Sequence, residues 1–184
     1  MPSKYTIPGL DAADAEKVAH TLQQRLTALL DLQLTLKHVH WNVIGPNFIS
    51  VHEMLDPQVD AVRLMSDKIA ERIATLGYEP MGTPGFVTAN RSWDDYSLNR
   101  AVALEHLAAL DVVYSGVIED HRAAVEQFEE QDPVSQDMLI GQLHSLETFQ
   151  WFIRAHLEDR GGALAHGDAA TEQGAADAVG GSTA

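Results

Sequence analysis

Residues 45–77, GPNFISVHEMLDPQVDAVRLMSDKIAERIATLG, decide the fold because they combine a helical core pattern with two pairs of polar side chains at helical spacing. Their large apolar residues recur every three or four positions, the period of an amphipathic helix. These residues are Val51, Leu55, Val59, Val62, Met65, Ile69, Ile73 and Leu76. Pro46 suits a helix start, whereas Pro57 lies deeper and predicts a kink or an irregular first section. The segment predicts one long helix.

The two polar pairs are potential metal ligands. His52 and Asp56 are four residues apart, as are Asp67 and Glu71, so each pair projects from one face of the helix. Asp56 and Asp67 are separated by eleven residues, about 16 Å along a helix that rises about 1.5 Å per residue. The two pairs therefore cannot share a metal ion within one chain. Because eleven residues make nearly three whole turns, both pairs still face the same way.

The two pairs are placed symmetrically about one point of the helix, since the midpoint between His52 and Glu71 is also the midpoint between Asp56 and Asp67 and lies next to Ala61. A second copy of the helix, laid antiparallel across a twofold axis there, would place His52 and Asp56 of one chain against Asp67 and Glu71 of the other. We therefore expect two identical sites per dimer. Carboxylates combined with an imidazole suit iron(II), manganese or zinc. The alternative is an acidic, solvated helix face whose register is coincidental.

The composition bounds the class of protein. A chain of 184 residues suits a single domain, and the absence of cysteine excludes disulfides and thiolate metal sites. No apolar run approaches the roughly twenty residues of a membrane span, and the N-terminal sequence does not have the pattern of a signal peptide. We expect a soluble, cytoplasmic protein without membrane contact.

The net charge of -15, from 27 acidic and 12 basic residues, attracts cations and repels nucleic acid. Only four of the basic residues are lysine, and a low lysine content with many acids is also typical of a halophile's high-salt cytoplasm. The composition does not decide between salt adaptation and cation collection.

Four long helices and one long connection are predicted. The helices run from about Asp11 to Val43, within residues 45–77, from Ser97 to about Val125 and from Asp132 to about Ile153. Residues 77–96 form a crossover with one short helix around Phe86. Two short turns and one long crossover predict an all-α, ferritin-like four-helix bundle.

The bundle is expected to span residues 11–160, after an N-terminal arm of residues 1–10. Residues 161–184 form a Gly- and Ala-rich acidic tail without Lys or Arg, in which Leu164 and Val179 are the only large apolar side chains. Such a composition predicts a mobile tail.

Residues 37–73 strongly resemble the signature of the Dps family, the miniature ferritins known as DNA-binding proteins from starved cells. The matching residues are His40-Trp41-Asn42, Gly45, Phe48, His52, Asp56, Asp67 and Ala70-Glu71-Arg72. The predicted order and lengths of the helices from about residue 11 to residue 160 agree with this resemblance.

The resemblance implies a hollow shell of twelve subunits with iron-oxidising centres between twofold-related chains. The family's ligand positions match His40, His52 and Asp56 on one chain and Asp67 and Glu71 on the other. Conventional ferritins instead hold metal inside one bundle with Glu-x-x-His motifs. This sequence contains no Glu-x-x-His, which argues independently for a site between subunits.

The resemblance also implies an activity. Iron(II) is expected to be oxidised by hydrogen peroxide, two ions per peroxide so that no hydroxyl radical escapes, and iron(III) to be stored in the cavity, which protects against oxidative damage. Trp41 is placed to donate an electron to a stray oxidant, or it is a plain core aromatic residue.

Asp137 matches a family position that lines an acidic threefold pore, where a ring of carboxylates would concentrate cations. The alternative is an ordinary acid near a helix start, favoured by the helix dipole.

Family members that condense DNA usually carry basic tails, whereas here the N-terminal arm has only Lys4 and the C-terminal tail has no basic residue. This argues against direct DNA binding. Two alternatives to the iron-storing ferroxidase stay open: a nucleoid-compacting structural protein, and a shell that holds manganese or zinc without oxidase activity.

Overall fold

A computed structural model describes residues 7–181 of the chain. Residues 1–6 of the predicted arm and residues 182–184 of the predicted tail lie outside this range. The described helices are α1 (Ala12–Asn42), α2 (Phe48–Thr75), α3 (Pro84–Asn90), α4 (Ala103–Phe128), α5 (Pro133–Leu157) and α6 (Glu172–Gly180), and two short strands are β1 (Val43–Ile44) and β2 (Ala101–Val102). None of these helices is both long and apolar enough to cross a lipid bilayer.

The predicted four-helix bundle is present. Helices α1 and α2 pack along each other as one hairpin, and α4 and α5 form the second. The crossover between α2 and α4 contains α3, as predicted, and is fixed to α1 by Asp31. The Asp31 carboxylate accepts hydrogen bonds from Arg91 Nη1 at 3.1 Å and Trp93 Nε1 at 2.7 Å. This connection lets the two hairpins meet as one core.

The core side of α2 follows the predicted period. Val51, Leu55, Val62 and Ile69 are fully buried. Pro57 lies inside α2, which continues without a break from Phe48 to Thr75. The predicted irregular first section is therefore absent.

Helix ends agree with the local sequence signals in two cases. The Asp11 side chain accepts a hydrogen bond from Ala13 N at 2.8 Å and caps α1, as predicted. Asp132 lies at the N-cap of α5, immediately before Pro133. The cap at Asp11 therefore marks the start of α1, whereas α5 begins at Pro133 without a capping hydrogen bond from the Asp132 side chain.

The predicted start of the third long helix at Ser97 is wrong, because α4 begins at Ala103. Ser97 N instead donates a hydrogen bond to Glu172 in the C-terminal segment. Two residues before α4, Ala101 pairs with Val43 in a parallel β-bridge, which extends to Ile44 and Val102. The two short strands, which the sequence did not indicate, join the end of α1 to the start of α4.

The prediction of a mobile tail is wrong for residues 161–181. Helix α6 packs on α4 and buries Ala175, Ala176 and Val179. Small alanine side chains allow close helix contact, so this segment needs few large apolar residues to pack. Thr171 Oγ1 accepts a hydrogen bond from Gly174 N at 3.1 Å and caps the helix.

A buried carboxylate on α4 anchors the chain that leads to α6. Asp111 Oδ2 lies 3.0 Å from His166 Nε2. Its Oδ1 accepts hydrogen bonds from Arg154 Nε at 2.7 Å and Gln150 Nε2 at 2.9 Å, both from α5. Asp111 therefore joins α4, α5 and the C-terminal segment.

We expect Asp111→Asn to lower the free energy of unfolding by about 1–3 kcal/mol, because Arg154 loses its charged partner and an amide cannot accept from all three donors. The C-terminal segment should become sensitive to limited proteolysis. Chemical denaturation and mass spectrometry of the fragments measure both effects. Asp177→Asn, at an exposed position of α6, is the matched control; equal protease resistance in the two variants would contradict the anchoring role.

Candidate metal centre

The turn between α1 and α2 brings two predicted ligands together. The imidazole rings of His40 and His52 stack with their centroids 3.6 Å apart. Nδ1 of His40 lies 2.9 Å from the carbonyl oxygen of His52, and Nδ1 of His52 lies 2.9 Å from the carbonyl oxygen of His40. We assign the ring protons to Nδ1, since a carbonyl can only accept. Each Nε2 then carries the lone pair that a metal ion requires.

Asp56 completes a cluster of three predicted ligands. Its Oδ1 lies 3.3 Å from His40 Nδ1 and 3.0 Å from Lys37 Nζ. The hydrogen bond from Lys37 is the main reason why the pKa of the exposed Asp56 carboxyl lies below its ordinary value. An ionised carboxylate thus lies beside two imidazoles that can bind a metal ion.

Asp67 and Glu71 lie further along the same helix, and both side chains are exposed. Within residues 7–181, no three His, Asp or Glu side chains converge in an arrangement that could hold a metal ion by themselves. The ligands therefore form two partial sets, one where the end of α1 meets the start of α2 and one in the second half of α2.

Arg72, the residue after Glu71, connects α2 to the start of α5. Its Nη2 donates to Asp132 Oδ2 at 2.6 Å and its Nε donates to Ser135 Oγ at 2.9 Å, while Ser135 donates to Asp132. The Asp132 side chain thus binds Arg72 and Ser135 instead of a backbone N–H. This network is not evident from the sequence, where the Ala70-Glu71-Arg72 triplet is the signal that marks Arg72.

Trp41 follows His40 but is not a core residue of the single chain. Its side chain is 70% exposed, and Lys37 Nζ lies 5.7 Å from the ring centroid. The alternative of a plain core aromatic is therefore wrong for the isolated subunit. An exposed indole beside a candidate ligand is available either to a partner subunit or to a reactant.

Large apolar side chains surround the ligands on the outer face of α1 and α2. Leu34, Ile49 and Leu64 are 63%, 56% and 57% exposed, in addition to Trp41. Exposed apolar side chains grouped in this way are typical of a protein–protein interface.

Asp137 is exposed on α5, one turn after the helix starts. Val134 and Ile140, on either side of it, are 63% and 48% exposed. The carboxylate is thus accessible on the subunit surface, and it lies on a different helix from the other predicted ligands.

Known proteins share both the sequence and this fold. The ferritin-like domain family matches residues 19–161. The DNA protection during starvation protein of Mycolicibacterium smegmatis is 59% identical over 175 residues, which cover 95% of this chain and 96% of that protein. This chain belongs to the Dps family.

Solved Dps structures agree with this assignment. Dps from Mycobacterium smegmatis superposes with a TM-score of 0.90 at 58% identity, covering 93% of this chain and 97% of that one. DpsA14 from Streptomyces coelicolor has a TM-score of 0.88 at 61% identity, covering 90% and 98%. The predicted family and ferritin-like fold are confirmed.

The Arg72 network predicts a loss of stability in acid. Burial alone would raise the pKa of Asp132, but hydrogen bonds from Ser135 and Arg72 outweigh it and hold the pKa below the ordinary value of 3.8. A carboxyl with a lowered pKa stabilises the fold above its unfolded-state pKa, and this contribution is lost as the pH falls through its folded-state pKa.

We therefore expect Asp132→Asn to lower the free energy of unfolding by about 1–3 kcal/mol at neutral pH. The difference from the wild type should shrink below pH 3.8. Denaturant titrations from neutral to acidic pH measure it, with Asp168→Asn on the exposed C-terminal segment as the control. A difference that stays constant with pH would show that Asp132 does not act through its charge.

Proposed function

We propose that this Dps protein is a ferroxidase that oxidises iron(II) at centres shared by two chains and stores iron(III) inside a hollow dodecamer. The observation that carries this proposal is the division of the ligands into two sets, one at each end of α2, the first of which includes His40 from the end of α1. His40, His52 and Asp56 form one partial set, and Asp67 and Glu71 form the other on the same face. Neither set is sufficient alone.

A twofold axis near the middle of α2 would combine the two sets. Antiparallel pairing brings the exposed carboxylates of one subunit to the imidazoles of the other, and it covers the apolar side chains that surround them. An interface of this kind is isologous, so each dimer gains two equal centres. Twelve subunits with such interfaces enclose the cavity in which we propose that iron(III) is stored.

The donor set suits the oxidation of iron. Carboxylate oxygens bind iron(III), the harder cation, more strongly than iron(II), and so favour the oxidised product, while imidazole nitrogens hold both states. The backbone hydrogen bonds at Nδ1 of His40 and His52 fix the ring orientation and keep Nε2 available. Iron(II), as the substrate, must displace Lys37 from Asp56 when it binds.

Hydrogen peroxide is the oxidant that matches a two-iron step. Peroxide accepts two electrons, and two iron(II) ions supply one each, so that no one-electron product is released. The exposed Trp41, next to His40, is the proposed electron donor when only one iron is bound.

Direct DNA compaction is the second candidate function, since the M. smegmatis relative is named for DNA protection. The net charge of -15 and the scarcity of lysine argue against contacts with phosphates. We propose that any protection of DNA comes from removal of iron(II) and peroxide. Gel shifts at low and high salt, with and without magnesium, distinguish the two functions.

The divided site predicts that two inactive variants rescue each other. One variant is His52→Ala/Asp56→Ala, and the other is Asp67→Ala/Glu71→Ala. Each homo-oligomer lacks half of the ligands at every centre and should lose iron(II) oxidation. In a mixed dimer one centre combines both intact halves, so activity should return on co-assembly. Absorbance at iron(III) wavelengths after peroxide addition measures the rate.

Native mass spectrometry verifies that the mixed shells contain both variants, and each variant reassembled with itself is the control. Mixed shells that stay as inactive as their parents would place the centre within single chains. Wild-type protein that binds iron(II) without oxidising it would instead favour a metal-holding shell, and repeating the binding with manganese and zinc would identify its preferred cation.

The exposed carboxylate of Asp137 is proposed to line a pore that admits cations. Asp137→Asn should slow iron uptake at low ionic strength, and the effect should vanish near 1 M salt, where the Debye length falls to about 3 Å. Stopped-flow absorbance measures the uptake rate at both salt concentrations. Asp94→Asn, an exposed carboxylate on the crossover, is the control; uptake equal to that of the control at low salt would support the helix-dipole alternative.

A further inference from the structure

A tyrosine and a histidine form a hydrogen-bonded pair where the crossover meets α4. Tyr96 Oη lies 3.0 Å from Nδ1 of His106, and the two rings are nearly parallel with centroids 6.0 Å apart. His106 is fully buried in the first turn of α4. Neither residue belongs to the iron centre described above.

Both partners are neutral at physiological pH. Burial raises the pKa of Tyr96 well above its ordinary value, and Glu172 adds to this effect. Burial lowers the pKa of His106 to about 4, although the nearby carbonyl groups of Asn42 and Asn99 oppose the shift. A neutral phenol thus faces a neutral imidazole.

The surroundings of His106 decide which nitrogen accepts the phenolic hydrogen. Nδ1 faces the phenolic hydroxyl at 3.0 Å, and a phenol donates a hydrogen bond more readily than it accepts one, whereas Nε2 is a buried atom without a hydrogen-bond partner within residues 7–181. We assign the ring proton to Nε2, which leaves the lone pair of Nδ1 to accept from Tyr96. His106 is therefore arranged as a base for the tyrosine.

This pair is in contact with α1, the helix that carries the candidate ligand His40. The His38 ring packs edge-on against Tyr96 with centroids 5.8 Å apart, and His38 Nε2 lies 2.8 Å from the Leu98 carbonyl oxygen. On the same helix, His40 and Trp41 follow His38 by about 3 Å and 4.5 Å along the axis. A packed contact, without intervening solvent, thus links α1 near the candidate centre to Tyr96.

We propose that Tyr96, with His106 as its base, is a redox site that reduces one-electron oxidants formed at the iron centre. This inference rests on the proposed ferroxidase function. When one iron(II) meets one peroxide, the products are iron(III), hydroxide and a hydroxyl radical. The Tyr96–His106 pair would supply the second electron, so that the hydroxyl radical is reduced within the protein.

The electron and the proton of Tyr96 go to different acceptors. Tyr96 loses one electron to the hydroxyl radical, directly or through Trp41, and the radical becomes hydroxide. The phenolic proton moves along the hydrogen bond to Nδ1 of His106, so the tyrosine becomes a neutral radical and the histidine an imidazolium. Hydroxide and the proton later combine as water, and no charge stays buried. An exogenous reductant of the thiol or ascorbate class then restores the tyrosine.

Tyr114 shows why Tyr96 is the better donor. Tyr114 is fully buried, whereas Tyr96 is partly buried, and the Tyr114 hydroxyl donates to Gln58 Oε1 at 2.8 Å. A carboxamide is a very weak base and cannot take the proton. Oxidation of Tyr114 would leave a positive charge in the core, which is costly in a medium of low polarity.

The test combines Tyr96→Phe with Tyr114→Phe as its matched control. Each protein is loaded anaerobically with substoichiometric iron(II), mixed with hydrogen peroxide and frozen for electron paramagnetic resonance. We expect a tyrosyl signal in the wild type and in Tyr114→Phe, and its loss in Tyr96→Phe. After repeated turnover, Tyr96→Phe should also accumulate more oxygen at Trp41, measured by peptide mass spectrometry.

A second measurement requires no variant. Wild-type protein with ¹⁵N-labelled histidine should show an altered nitrogen coupling in the tyrosyl signal, because the radical stays hydrogen-bonded to His106. A structural role for the pair would not produce this coupling. His106→Gln, which replaces the base by an amide, should lower the yield of the radical.

Iron(II) oxidation, followed by absorbance in the same samples, separates the two proposals. Wild-type protein that oxidises no iron(II) would overturn the proposed function. Wild-type protein that oxidises iron(II) without a tyrosyl signal, or a signal that persists in Tyr96→Phe, would overturn the role of Tyr96 alone.

Discussion

The junction between α1 and α2 is the interaction on which the rest of the structure depends. Gly45 has a φ of +96°, a conformation that a side chain would strain, and it reverses the chain within a few residues. The reversal allows His40 and His52 to exchange hydrogen bonds between their rings and backbones. Immediately beside it, β1 pairs with β2 and fixes the start of α4. One turn therefore sets the first hairpin, the ligand cluster and the position of the second hairpin.

The bundle keeps the candidate carboxylate ligands Asp56, Asp67 and Glu71 on the exposed face of α2 and out of its core. Conventional ferritins bury carboxylates between their helices, where each needs a partner. Here the buried layers of the four helices are mainly aliphatic, and polar exceptions such as Tyr114 and Gln58 bind each other. The core is thus built without the candidate carboxylates, and in the proposed function the metal chemistry belongs to the contact between subunits.

Local signals were sufficient to predict much of the fold. Asp11 and the apolar period of α2 describe interactions within one helix, and the structure agrees with both; Asp132-Pro133 marked the position at which α5 starts, although the Asp132 side chain does not cap it. The start of α4 was misjudged because Ser97 binds Glu172, which is far away in the sequence. The folded state of the C-terminal segment was not predicted, because small alanines and the contact of Asp111 with His166 hold it in place. Neither feature gives the apolar period by which a helix is recognised in a sequence.

The candidate site was predictable to a similar degree. Helical spacing alone paired His52 with Asp56 and Asp67 with Glu71, since these contacts depend only on the turn of one helix. The assignment of His40 as a ligand followed only from the family resemblance. His40 lies on α1, and it meets His52 only because the chain reverses at Gly45. The Arg72–Asp132 contact joins two helices and could not be read from either one. Completion of the centre by a partner chain stays a prediction.

The ion pair between Lys37 and Asp56 bears on whether the proposed shell can assemble before it binds metal. Each proposed centre collects three carboxylates, and their mutual repulsion would oppose the meeting of two empty subunits. Lys37 supplies a resident positive charge at that place before any metal arrives. The subunits of the proposed shell can then assemble around an empty cavity, before any iron is bound.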